Sequence, residues 1–272
     1  MPKRRAPESP RARASRALAI AARLHQAHPD AHCALVHRDP YQLLVATILS
    51  AQCTDERVNV VTPVLFERAP TPADVLRLPE GELERIIRST GFFNAKARSI
   101  RGAAKLLVER FGGRVPRTME ELLELPGVAR KTANVVLGTG YGIPSGFVVD
   151  THVHRLARRL GLTTEDDPVK IEADLRSLFP PEEWIFLGHA LIFHGRRICS
   201  ARAPSCDACP IADLCPSRGL PADAWKVKPK LSARPSRGGS DRPSRGRTAR
   251  TPARAGSPGG RRGSGSSRSR RA

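Results

Sequence analysis

Cys199, Cys206, Cys209 and Cys215 stand in a C-x6-C-x2-C-x5-C arrangement, and four thiols set so closely must share a bond or a ligand. Disulfides fit poorly. The residues after Met1 contain no uninterrupted apolar stretch suited to an export signal, since Leu18 to Ala22 is closed by Arg23, so a reducing compartment is expected. That leaves a metal group. Four thiolates suit tetrahedral zinc or a four-cysteine iron–sulfur cluster. Structural zinc sites usually use two short cysteine pairs, whereas here one C-x2-C is flanked by single cysteines on longer loops. This spacing favours the cluster and leaves zinc as the alternative. Cys33 and Cys53 lie apart and read as ordinary buried thiols.

The 272 residues, 40% of them hydrophobic, are enough for one large domain or two small ones. The formal charge of +20 points to a polyanionic partner, but its distribution matters more than its sum. Residues 1–16 carry +5 and residues 226–272 carry +14, so the body between them is almost neutral at +1. Such a body must grip a phosphate backbone through a local patch and oriented backbone dipoles. Both ends are rich in Pro, Ser, Gly and Arg and read as disordered, serving either as solubilising extensions or as non-specific DNA tethers. No run of about twenty apolar residues exists, so no membrane span is expected and the reading is cytoplasmic.

From 17 to 216 helical punctuation recurs without an alternating strand pattern, which predicts an all-α body. Asp39-Pro40 caps a helix that should end near Gln52, and Thr54 caps another, which Pro63 should kink. Further helices are expected over 82–89, 95–110 and 118–124, the last opened by a Thr118-x-x-Glu121 capping box. Others are expected over 151–160, closed by Gly161, from Asp167-Pro168 onward, and over 183–195.

Leu125-Pro126-Gly127-Val128-Ala129 is a short turn between helices, the second beginning near Arg130. A glycine there permits close approach of a phosphate, which the free N–H groups opening the second helix would face, although many Pro-Gly turns merely reverse the chain. Lys131 falls in the first turn of that helix. The body holds only four lysines, Lys96, Lys105, Lys131 and Lys170, and Schiff-base chemistry in a protein requires an amine, which arginine cannot supply. At the positive end of a helix and partly desolvated, Lys131 is the best-placed nucleophile; otherwise it is a solvated cation or a phosphate contact. Asp150, before Thr151-His152-Val153-His154, is at least an N-cap. It is also a carboxylate able to face Lys131 across a cleft and stabilise positive charge on a sugar.

Taken together, LSAQCTD at 49–55, LPGVARKTANVVL at 125–137, VDTHVHR at 149–155 and the four-cysteine loop resemble the endonuclease III family in order and spacing, over roughly residues 17–216. The resemblance implies two helical domains flanking a DNA-binding cleft. These would be a six-helix barrel with a helix-hairpin-helix (35–145) and an iron–sulfur cluster domain (17–34 with 146–216), between disordered basic tails at 1–16 and 217–272. It implies a bifunctional DNA glycosylase and abasic-site lyase of base-excision repair, removing oxidised pyrimidines from double-stranded DNA through a Lys131 Schiff base, with Asp150 as partner carboxylate. The four cysteines would hold a [4Fe–4S] cluster that orders a basic loop containing Arg202.

A base must leave the stack to be excised, and the gap must be filled. Gln52 matches the family's plugging residue. Phe92 stands where the family has an apolar wedge, though Phe92 or Phe93 could equally be a core aromatic. Gly127, Val128, Ala129, Arg130 and His152 are the remaining implied DNA contacts. Ala129 departs from the family's second hairpin glycine. The resemblance further implies a monomer associated with the nucleoid. The alternatives are an adenine-excising relative, which normally lacks the lysine and has a further C-terminal domain, and a DNA-binding module without chemistry.

Overall fold

The computed structural model describes residues 8–220, which form helices and connecting turns with no strand among them. In chain order the helices are α1 (Pro10–Ala27), α2 (Pro40–Leu49), α3 (Asp55–Arg68), α4 (Pro72–Arg77), α5 (Glu82–Ile87), α6 (Phe93–Phe111), α7 (Met119–Leu123), α8 (Arg130–Val135), α9 (Thr151–Arg159), α10 (Pro168–Leu178) and α11 (Trp184–Arg197). A 3-10 turn over Arg88–Thr90 follows α5, and one π-helical turn over Val136–Gly140 extends α8. Among the described residues no helix is long and apolar enough to cross a membrane.

The starts obey local chemistry. Asp39, Thr54, Thr118, Asp150 and Asp167 each accept a backbone N–H at the head of their helix. Pro63 lies inside α3 without ending it. The helix expected to run to Gln52 stops at Leu49, because Gln52 itself has a left-handed backbone (φ 52°). Helix α4 was not expected, although Thr71 and Asp74 make a reciprocal capping box at its start.

Two hydrophobic cores result. One is built from α2 to α8, with Leu43, Leu44, Leu65, Leu83, Ile100 and Leu107 at its centre. The other joins α1 to α9, α10 and α11, through Ile20, Leu24, Leu156, Ile171, Leu187 and Ile211. Each fully buried side chain of this size contributes about 1.5–3 kcal/mol relative to exposure. The chain leaves the second core after α1, builds the first without interruption and returns at Phe147.

Two bonding groups cross between the cores beside α8. Arg130 grips Glu172 of α10 with two bonds (2.7 and 2.8 Å), and Asn134, one turn later, donates to Glu172 Oε1 (3.1 Å) and to the Phe147 carbonyl (3.2 Å). Glu172 is only 4% exposed. Gly146 makes room for it, since a Cβ there would lie 2.0 Å from Glu172 Oε1.

The expected tail over 1–16 is corrected from residue 10 onward, where α1 begins with Pro10 after a Ser9 cap. The Arg16 guanidinium donates to the carbonyls of Leu160 (2.6 Å) and Leu214 (3.2 Å) and pairs with Glu8 (2.8 Å). An arginine-rich composition concealed this tertiary latch. At the other end Ser217–Leu220 is a turn rather than the start of a tail, with Ser217 Oγ donating to the Arg159 carbonyl (2.7 Å). Expectations for 1–7 and 221–272 fall outside the described residues. Replacing Arg16 by Ala orphans carbonyls of two segments and should lower unfolding stability by roughly 1–3 kcal/mol in urea titration. An unchanged midpoint would remove the latch.

Candidate active site and cluster centre

Lys131 and Asp150 line the same two cavities, the shallower also bordered by Gln52, Thr151, His152 and Arg196, the deeper by Cys33, Thr47 and His189. Local structure places both. Lys131 is in the first turn of α8, between the Arg130 and Asn134 contacts, and is exposed at the cavity mouth. The partial desolvation expected for it is therefore not supplied by the protein alone. Asp150 caps α9, accepting from the amides of His152 and Val153 (both 2.8 Å). Both bonds fall on Oδ1, so its second oxygen takes no part in capping.

Other expected contacts are placed differently. The Gly127 backbone is left-handed (φ 81°) and a Cβ there would lie 2.6 Å from Ser99 Cβ, so packing and conformation already require this glycine. Val128 is buried and its amide donates to the Leu125 carbonyl (3.0 Å), which removes it as a DNA contact. Arg130 binds the buried Glu172 through Nε and Nη2, while its side chain stays about one-third exposed. Ala129 is exposed at the N-cap of α8, and Arg202 is exposed beyond the first cysteine. His152 is half-buried against Arg155 (3.2 Å), with burial holding its imidazole below the usual range. Gln52 and Phe92 both project into solvent, Phe92 being 66% exposed, while Phe93 packs on the first core.

Sequence reasoning missed Ser50, Asp55, His189 and Arg196. Asp55 accepts from Arg196 (2.7 Å), and the pair lines both cavities with Lys131. Ser50 and Asp55 lie inside the LSAQCTD stretch, so a signal existed; for His189 and Arg196 it did not. Burial pushes the Cys33 thiol up, yet Cys33 and Cys53, expected to be buried, are both only half-buried, and Cys33 borders the deeper cavity.

The four cysteines line one largely apolar cavity between α9, α11 and the loop that follows. Burial pushes the Cys209 and Cys215 thiols up and the neighbouring cysteines push the same way, a mutual repulsion that a cationic group relieves. The four thiols that face this one cavity are the donor set a four-cysteine iron–sulfur cluster takes. The surroundings also suit sulfur ligands. Arg159, 2% exposed, donates to Cys199 Sγ (3.0 Å) and to the carbonyls of Ser200 (2.7 Å) and Ala201 (2.9 Å). Arg155 donates to the Cys199 carbonyl (3.0 Å). His194 lies between Cys209 Sγ (3.4 Å) and His28 (3.0 Å), and burial, with His28 adding to it, lowers its imidazole to about 4.

Fold and site define a helical base-excision repair protein. Residues 45–181 match the model of the HhH-GPD superfamily base excision DNA repair protein, and residues 199–215 match the iron-sulfur binding domain of endonuclease III. Endonuclease III of Synechocystis sp. is 54% identical over 202 residues, 74% of this chain and 92% of that protein. The Bacillus subtilis endonuclease III is 46% identical over 188 residues, 69% of this chain and 85% of that protein. A solved non-covalent endonuclease III–DNA complex superposes with a TM-score of 0.72 at 45% identity, covering 75% of this chain and 95% of the solved one. The chain belongs to the endonuclease III family. It is accordingly a base-excision DNA glycosylase and abasic-site lyase with a [4Fe–4S] cluster.

Purified protein should contain about four irons per chain; elemental analysis giving one zinc and no iron would overturn the cluster. His189 supplies a pH test. Burial, reinforced by His32, lowers its imidazole to about 4 from 6.5. Its contribution is therefore complete above the unfolded value and is lost as pH falls from about 6.5 toward about 4. Urea titration should show stability on the order of 2 kcal/mol lower at about pH 5 than at neutral pH from this group. His189→Gln should make that dependence shallower, with the buried His194 keeping a share of its own, and an equally steep profile in the variant would exclude His189 as a source.

Proposed function

We propose that Lys131 is the nucleophile and Asp150 its partner carboxylate, acting on oxidised pyrimidines and abasic sites in double-stranded DNA. One observation carries the reading: the two side chains border the same cavities, one from the head of α8 and the other from the head of α9. The nucleotide leaves the stack and its base enters the deeper cavity, past Thr47 and Ser50 toward His189. The Lys131 amine attacks C1′, the C1′–N bond breaks, and the base departs with the bonding pair and acquires a proton. Asp150 stabilises the positive charge developing on the sugar through its non-capping oxygen. The attached nitrogen loses one proton, and its lone pair then expels O4′, which takes up a proton, so that the C1′–O4′ bond breaks and a protonated Schiff base forms. Abstraction of a 2′ proton then expels the 3′ phosphate and breaks the strand, and water finally releases the lysine.

Gln52 fills the vacated gap and Phe92 wedges between bases. The backbones of Gly127 and Ala129, with His152 and Arg202, serve the phosphates and cleft. The cysteines Cys199, Cys206, Cys209 and Cys215 hold the cluster, which supplies structural order to the loop bearing Arg202 rather than redox chemistry on the substrate. We further infer that the two cores are two domains, 17–34 with 146–216 and 35–145, that the protein works as a monomer, and that its substrate keeps it at the nucleoid. Lys131 distinguishes this reading from the adenine-excising relative.

Borohydride reduction during turnover should trap a covalent DNA adduct, and Lys131→Ala should abolish it. A trapped adduct in that variant would place the amine elsewhere, whereas no adduct in the wild type would overturn the Schiff base and leave either excision by water or a DNA-binding module. Asp150→Asn keeps an N-cap, so stability should change by less than about 0.5 kcal/mol, while base excision falls by roughly a hundredfold or more. Excision near the wild-type rate would end the carboxylate's role.

A further inference from the structure

Among the described residues only two non-glycine backbones have positive φ, and they are Gln52 (52°) and Phe92 (49°). An exposed phenylalanine has no intrinsic preference for that conformation, which persists only where surrounding structure imposes it. The two turns are far apart in sequence, yet one side chain bonds to both. Lys96 lies in the first turn of α6 and is 5% exposed. Its Nζ donates to the carbonyl of Leu49 (2.8 Å), three residues before Gln52, and to that of Thr90 (2.7 Å), two residues before Phe92. Its backbone N–H donates to the Phe92 carbonyl (3.1 Å).

A cation is costly in such a place. Burial lowers the Lys96 pKa, and a methionine would fill the same volume without desolvating a charge. What methionine cannot do is bind two carbonyls at once. Both acceptors are the final carbonyls of helical segments, α2 and the 3-10 turn, where the backbone dipoles present negative charge.

We propose that Lys96 is a positioning residue that clamps the Gln52 turn to the Phe92 turn, fixing the separation at which the two side chains enter the base stack. This rests on the reading of Gln52 and Phe92 as plug and wedge. Its function is thus exerted before the chemistry, on extrusion of the nucleotide.

Extrusion is read by stopped-flow fluorescence of 2-aminopurine placed beside the lesion. In Lys96→Met, checked for cooperative unfolding and cluster absorbance, extrusion from duplex should slow about tenfold or more relative to any change in borohydride trapping on single-stranded abasic DNA, which has no stack to part. Equal effects on the two substrates would overturn the clamp. Gln52→Ala and Phe92→Ala serve as separate tests of the underlying reading. If neither slows extrusion, plug and wedge are wrong; if both do and folded Lys96→Met does not, the inference about Lys96 alone fails. Should the methionine variant not fold, hydrogen exchange of the wild-type protein decides. Amides of the two turns should open together with one free energy, and independent openings would refute the clamp.

Discussion

The carboxylate of Glu172 ties α8 to the second core. It is buried between the two cores, where Arg130 meets it with two bonds and Asn134 with a third. Both partners belong to α8, on either side of Lys131. Lys131, the proposed nucleophile, is therefore carried by a helix bonded to α10, an element of the other core. Removing one partner would leave an uncompensated charge in the seam, a loss of several kcal/mol, whereas rearranging exposed residues nearby costs little. The same carboxylate explains Gly146, because any side chain there would occupy its place.

Asp150 is fixed by a related device on the opposite wall. It caps α9, and α9 is bonded further along to the cluster loop through Arg155 and Arg159. The cysteine loop consequently contributes to the site without touching it. Its first ligand, two arginines and one helix form a continuous support for the capping carboxylate. Against these fixed walls, the exposed turns at Gln52 and Phe92 are strained elements on the surface presented to DNA in the proposed reaction.

Much of this was legible from local chemistry. Helix starts at Asp39, Thr54, Thr118, Asp150 and Asp167 are written in capping residues, and the four-cysteine spacing announces a metal group. Helix α4 was missed because six residues give too little periodicity, although its capping box is plain. What sequence cannot disclose is the commitment of a side chain to a distant partner. Arg130 reads only as a DNA contact, and nothing local announces its two bonds to Glu172, forty-two residues on. Val128 reads as part of a phosphate turn until its amide is found bonded to Leu125. Arg16 reads as tail until Leu160 and Leu214 accept its protons.

The route of the chain through its two cores bears on biosynthesis. The core formed by α2 to α8 is contiguous, so every buried residue it needs has been synthesised once the ribosome has passed Leu137. Helix α1 is translated before all of it, yet its apolar face, Ala17, Ile20, Ala21 and Leu24, packs against residues as late as Ile211. The first helix to leave the exit tunnel is thus among the last to be covered. Throughout that interval its greasy stripe stays uncovered, and its burial coincides with delivery of the final cysteines.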